Sequence, residues 1–159
     1  MNTQILTVAT FILFSFAGIT FNSGTIYSFE IPVEMNTPVR TIVLNSNDQM
    51  KFDKSEIRVK AGEKIKLTLN HTGKLPKNAM GHNFVLLTKG TDVQKFATAA
   101  MNEKAKEYIP AKGVLAHTKL IGGGESTTIE FTVPAKGVYD FICSFPGHYA
   151  MMKGKFIVE

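Results

Sequence analysis

KIKLTLN, residues 64–70, alternates without a break: Ile65, Leu67 and Leu69 fall to one side, and Lys64, Lys66, Thr68 and Asn70 to the other. A period of two belongs to a strand with one buried and one wet face. The same alternation returns in Ile129, Phe131 and Val133, and again in Tyr139, Phe141 and Cys143. Shorter candidates are TIVLN (41–45), EIRVK (56–60), HNFVLL (82–87) and KFIV (155–158), with Gly or Pro in most of the gaps. Short strands broken by turn residues at this spacing predict an all-β fold, a Greek-key β-sandwich or barrel of about seven to eight strands. One segment departs from the pattern. In TDVQKFATAAMNEKAKEY (91–108), Val93, Phe96, Ala97, Ala100 and Met101 follow helical spacing. Thr91 and Gln94 read as a capping box at its start, and Ile109-Pro110 as its stop, so a helical insertion outside the sheets is expected.

The chain has 159 residues, 44% hydrophobic and 19% charged, which suits one domain with a real core. Its formal charge of +5 is spread along the sequence and not gathered into a basic run, which argues against a nucleic-acid partner. Residues 1–17 carry an apolar stretch, ILTVATFILFSFA (5–17), too short to span a bilayer and ending in the small-x-small triplet Ser15-Phe16-Ala17. They read as a signal peptide despite the lack of Lys or Arg in MNTQ, with an uncleaved membrane anchor as the alternative, so no stable membrane insertion is expected after cleavage. Residues 18–40 are rich in Gly, Ser, Asn and Pro and read as an N-terminal arm or linker; residues 41–159 form the domain.

The chemistry concentrates in CSFPGHYAMM (143–152), which holds the only cysteine, a histidine and two methionines. A thiolate and a thioether suit soft metals, and imidazole suits copper, zinc, iron and nickel, so the set points to copper first. A structural zinc site would want several cysteines. Two histidines and a cysteine with a weak axial methionine make a blue-copper electron-transfer site, which needs one further histidine from elsewhere. Of His71, His82 and His117, His82 is best placed, because MGHNFVLL puts it at a strand end behind a glycine. His71 and His117 read as structural.

The blocks MGHNFVL, AHTKLIGGGE and YDFICSFPGHYAMMKGKF, with HTGKLPKNAMGHN and NSNDQMKF, resemble the azurin branch of the cupredoxin family over nearly the whole domain. The gaps are specific: four residues separate Cys143 from His148, and three separate His148 from Met152. The resemblance implies one type 1 copper ion, with His82, Cys143 and His148 in a plane, Met152 axial and the Gly81 carbonyl approaching weakly from the other side. It further implies that Asn83 and Ser144 tie the ligand segments together and that backbone N–H groups near Phe145 reach the sulfur. A docking patch of Met50, Leu75, Ala79, Met80, Met101, Phe145, Pro146, Ala150 and Met151 is implied around the loop histidine, with Lys74 and Lys77 beside it to steer an acidic partner. The sequence departs from the azurin pattern in two ways. Arg40 and Gly62 stand where azurins commonly carry a disulfide, and Phe84 stands where a buried Trp is usual.

These readings predict a small monomeric electron carrier of the periplasm, not an enzyme, that exchanges single electrons with redox proteins such as cytochrome c and a terminal reductase or peroxidase. The alternative is a periplasmic copper-binding or delivery protein. A redox enzyme or a metal-free adhesion sandwich has less support, because the four side-chain ligands complete a single-copper set.

Overall fold

The computed structural model describes residues 38–159. The expected signal peptide, and the expected arm up to residue 37, lie outside the described residues. Among the described residues the chain forms β1 (Arg40–Asn47), β2 (Lys51–Phe52), β3 (Glu56–Val59), β4 (Lys64–His71), β5 (Val85–Leu87), β6 (Val114–His117), β7 (Ser126–Thr132), β8 (Gly137–Ile142) and β9 (Lys153–Val158). Two helices, α1 (Lys77–Met80) and α2 (Val93–Ala100), and 3₁₀ turns at Lys104–Lys106 and His148–Ala150 complete the structure.

The strands make two mixed sheets, in the orders β2-β1-β4-β7 and β3-β9-β8-β5-β6. β1 runs parallel to β4, and β3 parallel to β9; the remaining pairs are antiparallel. Strict alternation puts Leu67 and Leu69 of β4 in register with Ile42 and Leu44 of β1 on one side, and Ile65 and Leu67 in register with Phe131 and Ile129 of β7 on the other. These side chains meet Leu86, Tyr139, Phe141, Phe156 and Val158 from the opposite sheet, and Phe84 just before β5, in one core. Burying a side chain of this size stabilises the fold by roughly 1.5–3 kcal/mol each. Phe141 pairs with Gly154 across β8 and β9, and any Cβ at 154 would run into the Phe141 ring, so this glycine is required by space.

β5 is buried on both faces, which is why VLL reads as a continuous apolar run. Leu86 faces the main core, while Val85 and Leu87 join Ile142 and Phe96 of α2 in a second cluster on the outer side of the sheet. The helical insertion thus covers the sheet flank next to the loop that carries His148.

Several local expectations are corrected. The cap of α2 is Asp92, whose carboxylate accepts from the Lys95 N–H at 3.0 Å; Thr91 is turned to the Thr88 hydroxyl at 2.7 Å. The helix ends at Ala100, well before Ile109-Pro110, because Met101–Lys106 tightens into turns. In HNFVLL only Val85–Leu87 is strand, and His82 makes an isolated bridge with Ile121. β2 and β6, which the alternation did not mark, bring the strands to nine among the described residues.

Candidate metal centre

Two separate segments, one carrying His82 and the other Cys143 and His148, converge at one end of the core. The Nδ1 atoms of His82 and His148 lie 3.9 and 3.7 Å from the Cys143 sulfur, and the three donor atoms lie within 4.8 Å of one another. All three residues are buried. The sulfur–nitrogen spacings are too long for strong hydrogen bonds, but suit donors each about 2.0–2.3 Å from one shared ion.

The backbone accounts for this convergence. The Cys143 N–H donates to the Met152 carbonyl at 2.9 Å, extending the β8–β9 pairing by one step and closing the loop between them. Inside the loop Gly147 takes φ +82°, and the Met152 N–H returns to the His148 carbonyl at 2.8 Å. That tight turn faces His148 inward and leaves Met152 fully buried, whereas Met151 points out. On the other side, His82 and Ile121 exchange both backbone hydrogen bonds at 2.9 Å. Gly81 sits where a Cβ would lie 2.5 Å from the Lys77 carbonyl and 3.0 Å from both Leu120 and Phe145. Its own carbonyl is 3.8 Å from the Cys143 sulfur.

Hydrogen bonds fix which nitrogen of His82 is bare. Its Nε2–H donates to the Asn47 carbonyl at 2.8 Å, leaving Nδ1 as a lone-pair donor toward the sulfur. His71 stacks on His82 with ring centres 4.3 Å apart. Both His71 nitrogens are taken: Gly73 N–H donates to Nδ1 at 3.0 Å, and Nε2–H donates to the Met80 carbonyl at 3.0 Å. His117 is exposed, with Nδ1 3.1 Å from the Thr118 carbonyl. Neither therefore presents a free nitrogen to the cluster in the way His82 and His148 do. Asn83 Oδ1 accepts from the Ser144 N–H at 2.8 Å, and Asn83 Nδ2–H donates to the Ser144 hydroxyl at 2.9 Å, linking the two ligand segments.

Burial pushes the Cys143 thiol up to about 12, although the Asn83 and Phe145 N–H groups favour its thiolate. At neutral pH the sulfur therefore keeps its proton unless a cation replaces it. Burial pulls His148 down to about 4, with His82 and His71 adding repulsion, and burial also lowers His82. Both imidazoles are thus neutral ligands at pH 7. A soft thiolate that forms only against a cation, beside two bare nitrogens, is a donor set suited to copper.

The residues expected around the loop differ in exposure. Leu75, Met101 and Met151 are 42%, 50% and 64% exposed. Ala79, Ala150, Lys74 and Lys77 are exposed too, whereas Met50, Met80, Phe145 and Pro146 are half-buried. Sequence reading did not find Asn47, which acts through its carbonyl, or Asp48, whose carboxylate accepts from the Lys74 and Leu75 N–H groups at 2.8 and 3.2 Å. The Lys74 N–H, the largest influence, holds the Asp48 carboxyl below its ordinary range. Glu107 was also missed. An N–H to carbonyl contact leaves no mark in residue type, and an acidic residue in a polar loop looks like solvated surface.

Residues 39–159 match the model of the family described as copper binding proteins, plastocyanin/azurin family. Azurin of Pseudomonas fluorescens biotype C is 44% identical over 120 residues, covering 71% of this chain and 93% of that protein. Azurin-2 of Alcaligenes xylosoxydans xylosoxydans is 48% identical over 118 residues, covering 70% and 91%. Among solved structures, auracyanin A, a "blue" copper protein of Chloroflexus aurantiacus, superposes with a TM-score of 0.71 at 31% identity, covering 77% of this chain and all of that one. Dithionite-reduced auracyanin of Roseiflexus castenholzii gives 0.68 at 37% identity, covering 75% and 96%.

Proposed function

Because the chain belongs to the plastocyanin/azurin family of copper-binding proteins, we propose that it is a blue-copper electron carrier whose ion is held by His82 Nδ1, Cys143 Sγ and His148 Nδ1. Met152, fully buried, and the Gly81 carbonyl, 3.8 Å from the Cys143 sulfur, would supply the remaining weak contacts. The observation that carries the reading is the trio of buried donors, each with the required lone pair or exchangeable proton, within 4.8 Å of one another. When bound, copper supplies a one-electron couple between Cu(I) and Cu(II).

The protein's own part is to hold still. His82 is fixed by the Asn47 carbonyl, and the segment after Cys143 by the Asn83–Ser144 pair, so the donors need little rearrangement when charge changes. Cys143, His82 and Met152 are fully buried, which shuts out substrate and favours a carrier over a catalyst. His148, only 4% exposed, lies beside Phe145 at the surface end of the site and is the path for the electron. The Met and Leu side chains around it form an adaptable surface for brief encounters with redox proteins, such as a cytochrome c and a terminal reductase or peroxidase. An exported, periplasmic location follows from the reading of residues 1–17 as a signal peptide.

Titrating the metal-free protein with Cu(II) tests this. One equivalent should give an intense blue thiolate-to-copper band and a narrow parallel hyperfine splitting in EPR, both lost in Cys143→Ser. A pale, ordinary tetragonal Cu(II) spectrum in the unmutated protein would refute it.

A further inference from the structure

Glu107 lies on a loop that contributes no ligand, yet it touches Asn83, the residue after His82, and Leu120, the residue before the backbone partner of His82. Its Oε2 accepts the Leu120 N–H at 3.0 Å, and Leu120 precedes Ile121, the backbone partner of His82. Its carbonyl accepts from Asn83 Nδ2–H at 3.2 Å, and Asn83 in turn holds the Ser144 N–H next to Cys143. We propose that Glu107 is a positioning residue for the copper site, clamping the segments that carry His82 and Cys143 into one rigid frame. This rests on the copper reading above.

The backbone gives a second, independent reason. Glu107 and Tyr108 are consecutive non-glycine residues in the left-handed region, at φ 55° and 63°. Such conformations persist only where surrounding contacts over-determine them. Glu107 also closes the Lys104–Lys106 turn, a place that glycine usually fills. A residue the backbone disfavours is kept there, and what it supplies beyond glycine is the carboxylate on Leu120. The unusual bend aims its carbonyl at Asn83 and seats the Tyr108 ring, 9% exposed, edge-on against Phe145 at 5.3 Å. Phe145 touches His148, with ring centres 4.7 Å apart, so the same loop braces the second imidazole.

Three variants separate clamp from strain: Glu107→Gln keeps an acceptor for Leu120, Glu107→Ala removes it, and Glu107→Gly removes it while relaxing the backbone. Two measurements apply: copper removal by excess chelator with EPR of the loaded protein, and amide hydrogen exchange at Leu120 and Ser144 in the metal-free protein. Ala and Gly should release copper on the order of 10-fold faster or more, alter the EPR hyperfine pattern and speed exchange at both amides. Gln should match the unmutated protein. Should Ala fail to fold, Gly and Gln still make the comparison. Unchanged copper release, EPR and exchange in Gly, or a Gln variant as impaired as Gly, would overturn the proposal. If the unmutated protein gives no blue-copper spectrum, the functional reading fails by itself, and exchange in the metal-free protein still decides whether Glu107 clamps.

Discussion

The two imidazoles that face Cys143 are held in different ways. His82 is fully buried, its Nε2–H is donated to Asn47, its face is stacked on His71, and its backbone is paired with Ile121. His148 rides on a tight loop closed by the Cys143–Met152 hydrogen bond and leans on the half-buried Phe145; among the described residues no protein group hydrogen-bonds its Nε2. One ligand is part of the core, and the other is part of the rim. A site that must be rigid and also pass electrons outward is served by this division: the inner histidine sets geometry and the outer one sets access.

The largest break in that comparison should come from removing each ring. His82→Ala leaves the Asn47 carbonyl and the His71 face without their partner, and should cost the metal-free protein about 2–4 kcal/mol in denaturant unfolding. His148→Ala should change metal-free stability by less than about 1 kcal/mol, while abolishing the blue spectrum as completely as the first variant. Equal stability losses would show that the two ligands are held alike.

Acid should separate them next. His148 sits near 4 in the folded protein against 6.5 for the free side chain, so the unfolded chain takes up a proton first as pH falls. Metal-free stability is therefore fully present above about pH 6.5 and declines toward pH 4, by on the order of 2–3 kcal/mol for this group. His82, also lowered by burial, adds in the same direction. Unfolding midpoints of metal-free protein across this range should fall, and His148→Ala should flatten the slope. A slope unchanged in that variant would place the effect elsewhere.

A smaller loss is expected from Asn83→Ala, which strips the buried Ser144 N–H and the Glu107 carbonyl of a partner at once. About 1–3 kcal/mol should disappear from the unfolding free energy, with faster copper release as the second readout. The smallest effect belongs to the rim: Lys74→Glu with Lys77→Glu should slow association with an acidic redox partner at low salt, and the difference should vanish as ionic strength rises. Rates insensitive to salt would remove steering from the account.

The outer half of the site was legible in the sequence because it is local. Cys143, His148 and Met152 fall within ten residues, and a β-turn loop between two alternating strands brings them together without help from the rest of the chain. His82 was legible by its strand-end position and the glycine before it. Its supports were not: Asn47 acts by a backbone carbonyl 35 positions away, and His71 by ring stacking across the strand order of a folded sheet. The main alternations in β4, β7 and β8 were read correctly because burial on one face imposes a period of two. β6 alternates in burial, but its outward-facing Leu115 is apolar and hides the alternation in the residue types, and β2 has two residues, so neither had enough period to be seen. The α2 cap was displaced by one residue because Thr91 and Asp92 are both good caps by composition, and only the Thr88 contact decides between them.

The central claim is most directly tested by a crystal structure of the copper-loaded protein. The account predicts a single ion bonded to Nδ1 of His82, Sγ of Cys143 and Nδ1 of His148, with the Met152 sulfur near its axis and the Asn47 carbonyl still holding His82 Nε2. Copper bonded through His82 Nε2, or seated at His71 or His117 away from the Cys143 sulfur, would contradict it.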